Sequence, residues 1–316
     1  MTEEKTYDLV IIGGASAGLV AGVYAARKKM DVIILTKDIG GQALKTNIIE
    51  NFPGVDEITG LELSNNLKKQ VEKYGVPLRE GVDVEKIKKQ EELFFVTLKG
   101  GEEIKSKTVI IATGKVQRQL NVFGEKEFEN RGVVFCTICD APLFDGKDVA
   151  VVGGGNSGLE SALDLTKYAK KVYVLDTEEK MRGDEILIEK LKKILSDDGE
   201  ENKVEFIKNV EIKEIKGDKF VNGLVYKDKK TNEEKELAVG GVFINIGWLP
   251  ATKFLGDFVE LNKWEEIVIN PVTTETSVKG VFAAGDVSDV KYKQFVVACA
   301  EGAKAALSAY EYLNRK

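Results

Sequence analysis

Residues 147–158, KDVAVVGGGNSG, decide how this chain is read. The apolar run Val149–Val152 is what a strand buried on both faces looks like. Gly153, Gly155 and Gly158 then fill the pattern Gly-x-Gly-x-x-Gly. LESALDLTKYAK has helical periodicity, and KVYVL at 171–175 reads as the next strand. Strand, glycine-rich turn, helix and strand in that order make a βαβ unit. Its turn lets a pyrophosphate approach the backbone and the helix N-terminus. The order also occurs earlier, in YDLVII at 7–12, GGASAG at 13–18, LVAGVYAARKK and DVIIL at 31–35. One glycine-rich turn is weak evidence; two, each framed by strand and helix, point to two dinucleotide sites. The earlier turn departs from the pattern, because Ala15 stands at the middle glycine position. Its plain alternative is a helix packed closely on a strand.

The residue ending the second strand of such a unit normally faces the adenosine ribose. In the later unit it is Asp176, followed by TEEKMR. A carboxylate accepts ribose hydroxyls and repels a 2′-phosphate, and no arginine cluster occupies 177–181. NADH is therefore favoured over NADPH. The plain alternative is that Asp176 merely ends a strand in solvent. In the earlier unit the same position is Thr36, which lacks that carboxylate.

Between the units the sequence predicts a helix near 60–74 and strands near 82–88, 93–98 and 107–114. After them it predicts strands in GVFINIGWLP (241–250) and VFAAGDV (281–287), and a final amphipathic helix over 295–313. Glycine and proline mark crossings between domains near 115–122 and 245–251.

GVVFCTICD at 132–140 carries the second chemical signal. Cys-x-x-Cys is half a zinc site, a redox pair or an accident. The sequence contains no histidine and three cysteines. That removes His-based triads and His-rich zinc sites, weakens the zinc reading and leaves no expected metal. Cys299 lies on an apolar helical face and reads as core. Cys136 leaves a strand and Cys139 begins a turn or helix, where a thiolate is stabilised. Asp140 is the local acid–base candidate: burial would raise its pKa and let it protonate a leaving thiolate. It could equally cap a helix.

With 316 residues, two domains are expected. Hydrophobic residues make up 43% and charged residues 31%, which reads as a soluble globular protein. The net charge of -6 disfavours nucleic acid and anionic membranes. The polar start MTEEKTYD lacks a secretory signal, and no apolar run reaches membrane-span length, so a cytoplasmic location is expected. There, a close cysteine pair points to redox chemistry or metal.

Taken together, the two turns, GGQ, ENFPG, ATG, Cys-x-x-Cys-Asp, VFAAGD and the KQ before the last helix resemble the low-molecular-weight thioredoxin reductases over nearly the whole chain. APLFDGKDVAVVGGGNSG, GVFINIGWLPAT and YKQFVVACAEGAKAALSAYEYL look like the C-terminal reductase part of the alkyl hydroperoxide reductase flavoprotein. The resemblance implies an α/β fold of two Rossmann-like, three-layer ββα domains. A nucleotide domain (118–245) is inserted into a discontinuous FAD domain (1–117 and 246–316). It implies that FAD binds at Gly13, Gly14, Ala15, Ser16, Ala17 and Gly18. Thr36, Gly41, Gln42, Asn51 and Val84 would join them, with Ala112, Thr113 and Gly114. Gly285 and Asp286 would hold the ribityl chain, and Gln294 and Phe295 would lie beside the flavin ring. NADH would bind at Gly153, Gly155, Asn156, Ser157 and Gly158, with Asp176, Arg182 and Gly247. Cys139 would be the flavin-side sulfur, Cys136 the thiol that attacks a partner disulfide, and Asp140 the acid.

The implied activity carries electrons from NADH through FAD and the Cys136–Cys139 disulfide to a thioredoxin- or glutaredoxin-like protein that feeds a peroxiredoxin. The implied assembly is a homodimer that alternates between two domain orientations. The alkyl hydroperoxide reductase flavoprotein also carries an N-terminal thioredoxin-like domain, which this sequence does not include. Ala141 stands where the family usually has glycine. The His-Arg-Arg run of NADPH-using members is replaced by Asp176, Thr177 and Glu178, and only Arg182 remains of its basic residues. The alternative is a ferredoxin-linked enzyme of the same chemistry that does not use NAD(P)H. A non-catalytic nucleotide binder has no need of the dithiol, and ferredoxin–NADP reductases of this fold lack it.

Overall fold

In the computed structural model, which describes residues 5–45, 49–135, 137–194 and 203–315, the first apolar run forms strand β1 (Thr6–Gly14). Helix α1 (Ser16–Arg27) and strand β2 (Val32–Ile39) follow, then helix α2 (Gly60–Lys73) and strand β3 (Leu78–Arg79). Thr59 caps α2 by accepting a hydrogen bond from the Glu62 N–H. Strands β4 (Val84–Gln90), β5 (Leu93–Leu98) and β6 (Glu103–Ile111) complete the first leg.

The chain then passes through β7 (Lys115–Gln117) into β8 (Val133–Val134) and a short helix, α3 (Thr137–Asp140). The second βαβ unit is β9 (Asp148–Val152), α4 (Asn156–Leu165) and β10 (Lys171–Leu175). Helix α5 (Glu185–Ile194) and β11 (Val204–Ile207) follow. Next come β12 (Val210–Gly217), β13 (Val221–Asp228), β14 (Glu234–Leu237) and β15 (Gly241–Ile244). The return runs through β16 (Trp248–Pro250) and β17 (Val281–Ala283) to helix α6 (Phe295–Asn314). This is a mixed α/β fold with parallel sheets. Two compact units emerge: Met1–Val116 with Leu249–Lys316, and Gln117–Trp248.

The first unit carries a seven-stranded sheet: six strands ordered β3-β2-β1-β6-β5-β4, with β17 joining at β6. β6 pairs parallel with β1 along its length and divides its other edge between two partners. Its first half pairs antiparallel with β5 (Phe94 opposite Ser106). Its second half pairs parallel with β17 (Val281 opposite Val109). Strand alternation then sorts side chains to two faces. Leu9, Ile11, Ile34 and Ile110 pack beneath α1 and α6, with Ala21, Ala25 and Ala305. Val10, Ile12, Ile33 and Ile111 pack on the other face, with Phe94, Val96 and Leu255. Small residues on α1 and α6 let the two helices approach closely: a Cβ on Gly302 would fall 2.1 Å from Ala17 O.

The second unit repeats the scheme with a parallel sheet ordered β11-β10-β9-β15-β8. Val149, Val151, Val172 and Phe243 face α4 and α5 through Leu159, Ala162 and Leu191. Ala150, Val152, Val242 and Ile244 face the antiparallel meander β12-β13-β14 through Ile212, Ile215 and Leu224. Each fully buried Val, Leu, Ile or Phe among them contributes about 1.5–3 kcal/mol. Among the described residues, no helix is long and apolar enough to cross a membrane.

Candidate functional site

Each glycine-rich turn is dictated by two close approaches. Gly13 has φ +121°, and a Cβ there would fall 2.2 Å from Ala112 O on the neighbouring strand end. Gly18 lies over the turn itself, where a Cβ would fall 1.9 Å from Gly13 O. The second turn repeats both contacts. Gly153 (φ +123°) would meet Asn245 O at 2.2 Å, and Gly158 would meet Gly153 O at 1.8 Å. Any side chain at these four positions pushes helix from strand.

The helices that leave the turns begin uncapped. Ala15 and Gly155 are their N-cap residues, neither supplies a side-chain hydrogen bond, and neither helix has an acidic residue in its first turn. First-turn N–H groups have no acceptor inside the helix, so both N-termini suit an anion. Nothing lies within 4 Å of a Cβ built on Gly155, which leaves room for a close-lying phosphate. Both turns therefore fit a dinucleotide pyrophosphate.

Around the first turn the structure gathers most of the residues singled out above. Ser16 and Ala17 open α1, and Gly285 brings the β17 end against it, 3.1 Å from Ala17 Cβ to a Cβ built there. Gly14 is covered by the Thr36 side chain, whose hydroxyl donates to Asp38 O at 2.5 Å. Gly41 (φ +53°) faces Ala15. Gln42 Nε2 lies 3.4 Å from Asp286 Oδ2, and Asn51 Nδ2 donates to Gln294 Oε1 at 3.1 Å. Thr113 Oγ1 donates to Ala251 O, and Gly114 O accepts from Ala251 N–H. Phe295 opens α6 against Ile49, Ile58 and Leu63. Val84 stands apart, paired with Leu98 on the second core face. Its link to the turn is the Val82 N–H bond to Thr36 O.

Cys299, on α6 beside Ser16, is only half-buried, not the core residue expected. Burial pushes its thiol up to about 11 despite a hydrogen bond with the Ser16 hydroxyl.

In the second unit the strand end at Asp176 is not in solvent, so the plain alternative fails. Its side chain is 1% exposed. Oδ1 accepts from Arg182 NH2 (3.2 Å) and the Glu178 N–H (3.2 Å). Oδ2 is buried without a partner, against Gly154 and Met181. An orphaned carboxylate oxygen at this strand end is what a ribose hydroxyl would satisfy. The segment Arg182–Asp184 is pinned to the turn: the N–H groups of Arg182 and Gly183 donate to Gly154 O, at 2.8 and 3.0 Å. Asn156 exchanges two hydrogen bonds with Asp184, a role its place in the turn motif did not reveal. Ser157 is exposed on the first turn of α4, and Gly247 (φ +95°) accepts from Arg118 N–H.

Cys136 lies outside the described residues. Cys139 is the third residue of α3, and its side chain also lies outside them. Thr137 ties α3 to α4 through its buried hydroxyl, 2.8 Å from Ser161 Oγ. Asp140 is half-buried, and burial raises its carboxyl above the ordinary range. It makes no capping hydrogen bond to the following turn.

Comparison with known proteins agrees with this geometry. The family model of pyridine nucleotide-disulphide oxidoreductases matches residues 7–302. The chain is 41% identical over 313 residues to a protein named NADH dehydrogenase from Bacillus subtilis, covering 99% of this chain and 60% of the relative. It is 42% identical over 312 residues to the F component of alkyl hydroperoxide reductase from Staphylococcus aureus, with the same coverage. It thus spans 60% of the length of these curated relatives. Among solved structures, Lactococcus lactis thioredoxin reductase (FR conformation) superposes with a TM-score of 0.81 at 35% identity, covering 98% of this chain and 99% of that one.

Proposed function

Since the chain belongs to the pyridine nucleotide-disulphide oxidoreductase family, we propose that it is a FAD-dependent disulfide reductase of the thioredoxin reductase type. In this reading NADH is the donor, a thioredoxin- or glutaredoxin-like protein that feeds a peroxiredoxin is the acceptor, and the enzyme works in the cytoplasm as a homodimer. The observation that carries it is the pair of uncapped, glycine-locked turns, one per unit, in a chain that also holds Cys-x-x-Cys-Asp.

FAD, bound in the first unit, would supply the chemistry that converts a hydride into an electron pair for the dithiol. Gly13–Gly18 and the α1 N-terminus would hold its pyrophosphate, and Asp286 and Gln294 would orient it. In the second unit Gly153–Gly158 would hold the nicotinamide nucleotide. Asp176 Oδ2 would accept a ribose hydroxyl, and the same carboxylate would repel a 2′-phosphate.

The dithiol then works by exchange. The Cys136 thiolate attacks the partner disulfide and forms a mixed disulfide. Asp140, with its raised pKa, protonates the departing thiolate. The Cys139 thiolate next attacks the Cys136 sulfur and releases the second partner thiolate. One partner disulfide is reduced and the Cys136–Cys139 disulfide is formed.

Anaerobic titration with NADH, and separately with NADPH, tests the donor: NADH should bleach the flavin absorbance at lower concentration. Asp176, Thr177 and Glu178, standing where NADPH-using members carry His-Arg-Arg, support a second reading, in which a ferredoxin supplies the electrons. Bleaching by a reduced ferredoxin but by neither nucleotide would establish it.

A further inference from the structure

One carboxylate in the first unit gathers two ammonium groups beside the segment that carries Asp286 and Gln294. Glu266 Oε1 lies 3.1 Å from Lys293 Nζ and 3.3 Å from Lys115 Nζ. Its Oε2 accepts from Asn262 Nδ2 at 3.0 Å, and its backbone N–H donates to Asn262 Oδ1. All three charged side chains are largely buried, at 15–22% exposure. Burial pushes the Glu266 carboxyl up, but Asn262 and the two lysines more than offset it and hold it below the usual range. Glu266 is therefore ionised at neutral pH.

Its far end is the candidate flavin segment. Lys293 Nζ donates to Ser288 O at 2.5 Å, while Ser288 Oγ donates to Gly285 O at 2.8 Å. Lys293 directly precedes Gln294, the N-cap of α6, and Ile267 N–H donates to Val287 O beside Asp286. A single chain of contacts thus runs from Glu266 through Lys293 to both ends of the loop 285–294.

We propose that Glu266 is a positioning residue for the flavin: by fixing the Lys293 ammonium it sets the loop that presents Asp286 and Gln294. The inference rests on the reading of that loop as flavin-binding. Glu266 itself touches neither Asp286 nor Gln294 by hydrogen bond; it acts through Lys293. Removing its charge loosens the ammonium from one of its acceptors, and the loop loses its preset shape. Charge-assisted contacts of this kind are the stronger class of hydrogen bond.

The test measures FAD dissociation constants and the visible spectrum of bound flavin in the full chain carrying E266Q, K293M, both together, or D286A. E266Q should weaken FAD binding about tenfold, a loss typical of one charge-assisted bond, and shift the flavin absorbance band. K293M should do the same, and the double variant should be no worse than either single one, because both act through one contact. K293M keeps the test alive should E266Q fail to fold. Additive losses in the double variant overturn the inference. D286A losing FAD while E266Q and K293M bind it normally overturns the inference alone. D286A binding FAD normally overturns the reading beneath it.

Discussion

The Arg182 guanidinium lies 3.2 Å from Asp176 Oδ1 and covers a carboxylate whose second oxygen has no partner. Arginine and acid thus compete at one strand end, and the acid is the buried member. Asp176→Asn should lower kcat/KM for NADH about tenfold or more, the loss of a hydrogen bond to a charged group. It should narrow the gap to NADPH, because a neutral amide no longer repels a 2′-phosphate. Rapid-mixing rates of flavin bleaching with each nucleotide measure both effects.

Gly155 and Gly158 should separate binding from folding. A Cβ on Gly158 lands on Gly153 O, so Gly158→Ala should destabilise the protein by about 1–3 kcal/mol. Gly155 has φ −85° and open space around it, so Gly155→Ala should leave stability unchanged yet weaken nucleotide binding. Urea unfolding and nucleotide titration of the two variants make the comparison.

Burial raises the Asp140 carboxyl, so the folded state holds that proton more tightly than the unfolded chain. Its effect on stability is therefore absent below the unfolded pKa, and stability falls as pH rises through the folded one. Turnover should show the same group as an acid. Asp140→Asn should lower protein-disulfide reduction about 100-fold, the low end for a general acid. It should also remove one ionisation from the pH profile of kcat/KM while leaving flavin bleaching intact.

Cys136→Ser should abolish reduction of a thioredoxin-like partner and leave flavin bleaching by the donor in place. Retained partner turnover, followed by insulin precipitation or a coupled thiol assay, would remove Cys136 from the exchange.

Cys299 should stay silent. With its pKa pushed up to about 11, on the order of one thiol in ten thousand is ionised at pH 7. Iodoacetamide labelling followed by mass spectrometry should mark it only as the pH nears that value.

How much of this could be read from the sequence depended on the range of the forces involved. The glycine turns were legible because the lock is local: Gly158 answers to Gly153, five residues away. β1, β2, β9 and β10 were legible because strands buried on both faces are written as unbroken apolar runs. β6 was harder. It begins at Glu103 rather than 107, because its first half, rich in polar residues, is ordered by pairing with β1 and β5. The burial of Asp176 was hidden, since its cover is Arg182 and Met181 folding back over Gly154. Glu266 was missed altogether. Nothing in LNKWEEIVIN marks one glutamate over its neighbour, and its two lysines come from positions 115 and 293.

The split pairing of β6 bears on the order in which the chain assembles. Val109 must find Val281 across the whole second unit, a long loop to close in an unfolded chain. The second unit enters and leaves at adjacent points, where Arg118 N–H donates to Gly247 O at 3.0 Å. Once it has folded, that long loop becomes a short tether, and most of the closure entropy has already been lost. The outer sheet then completes itself as though β6 and β17 were neighbours in sequence, so mutations that slow folding of the inserted unit should also delay the outer one.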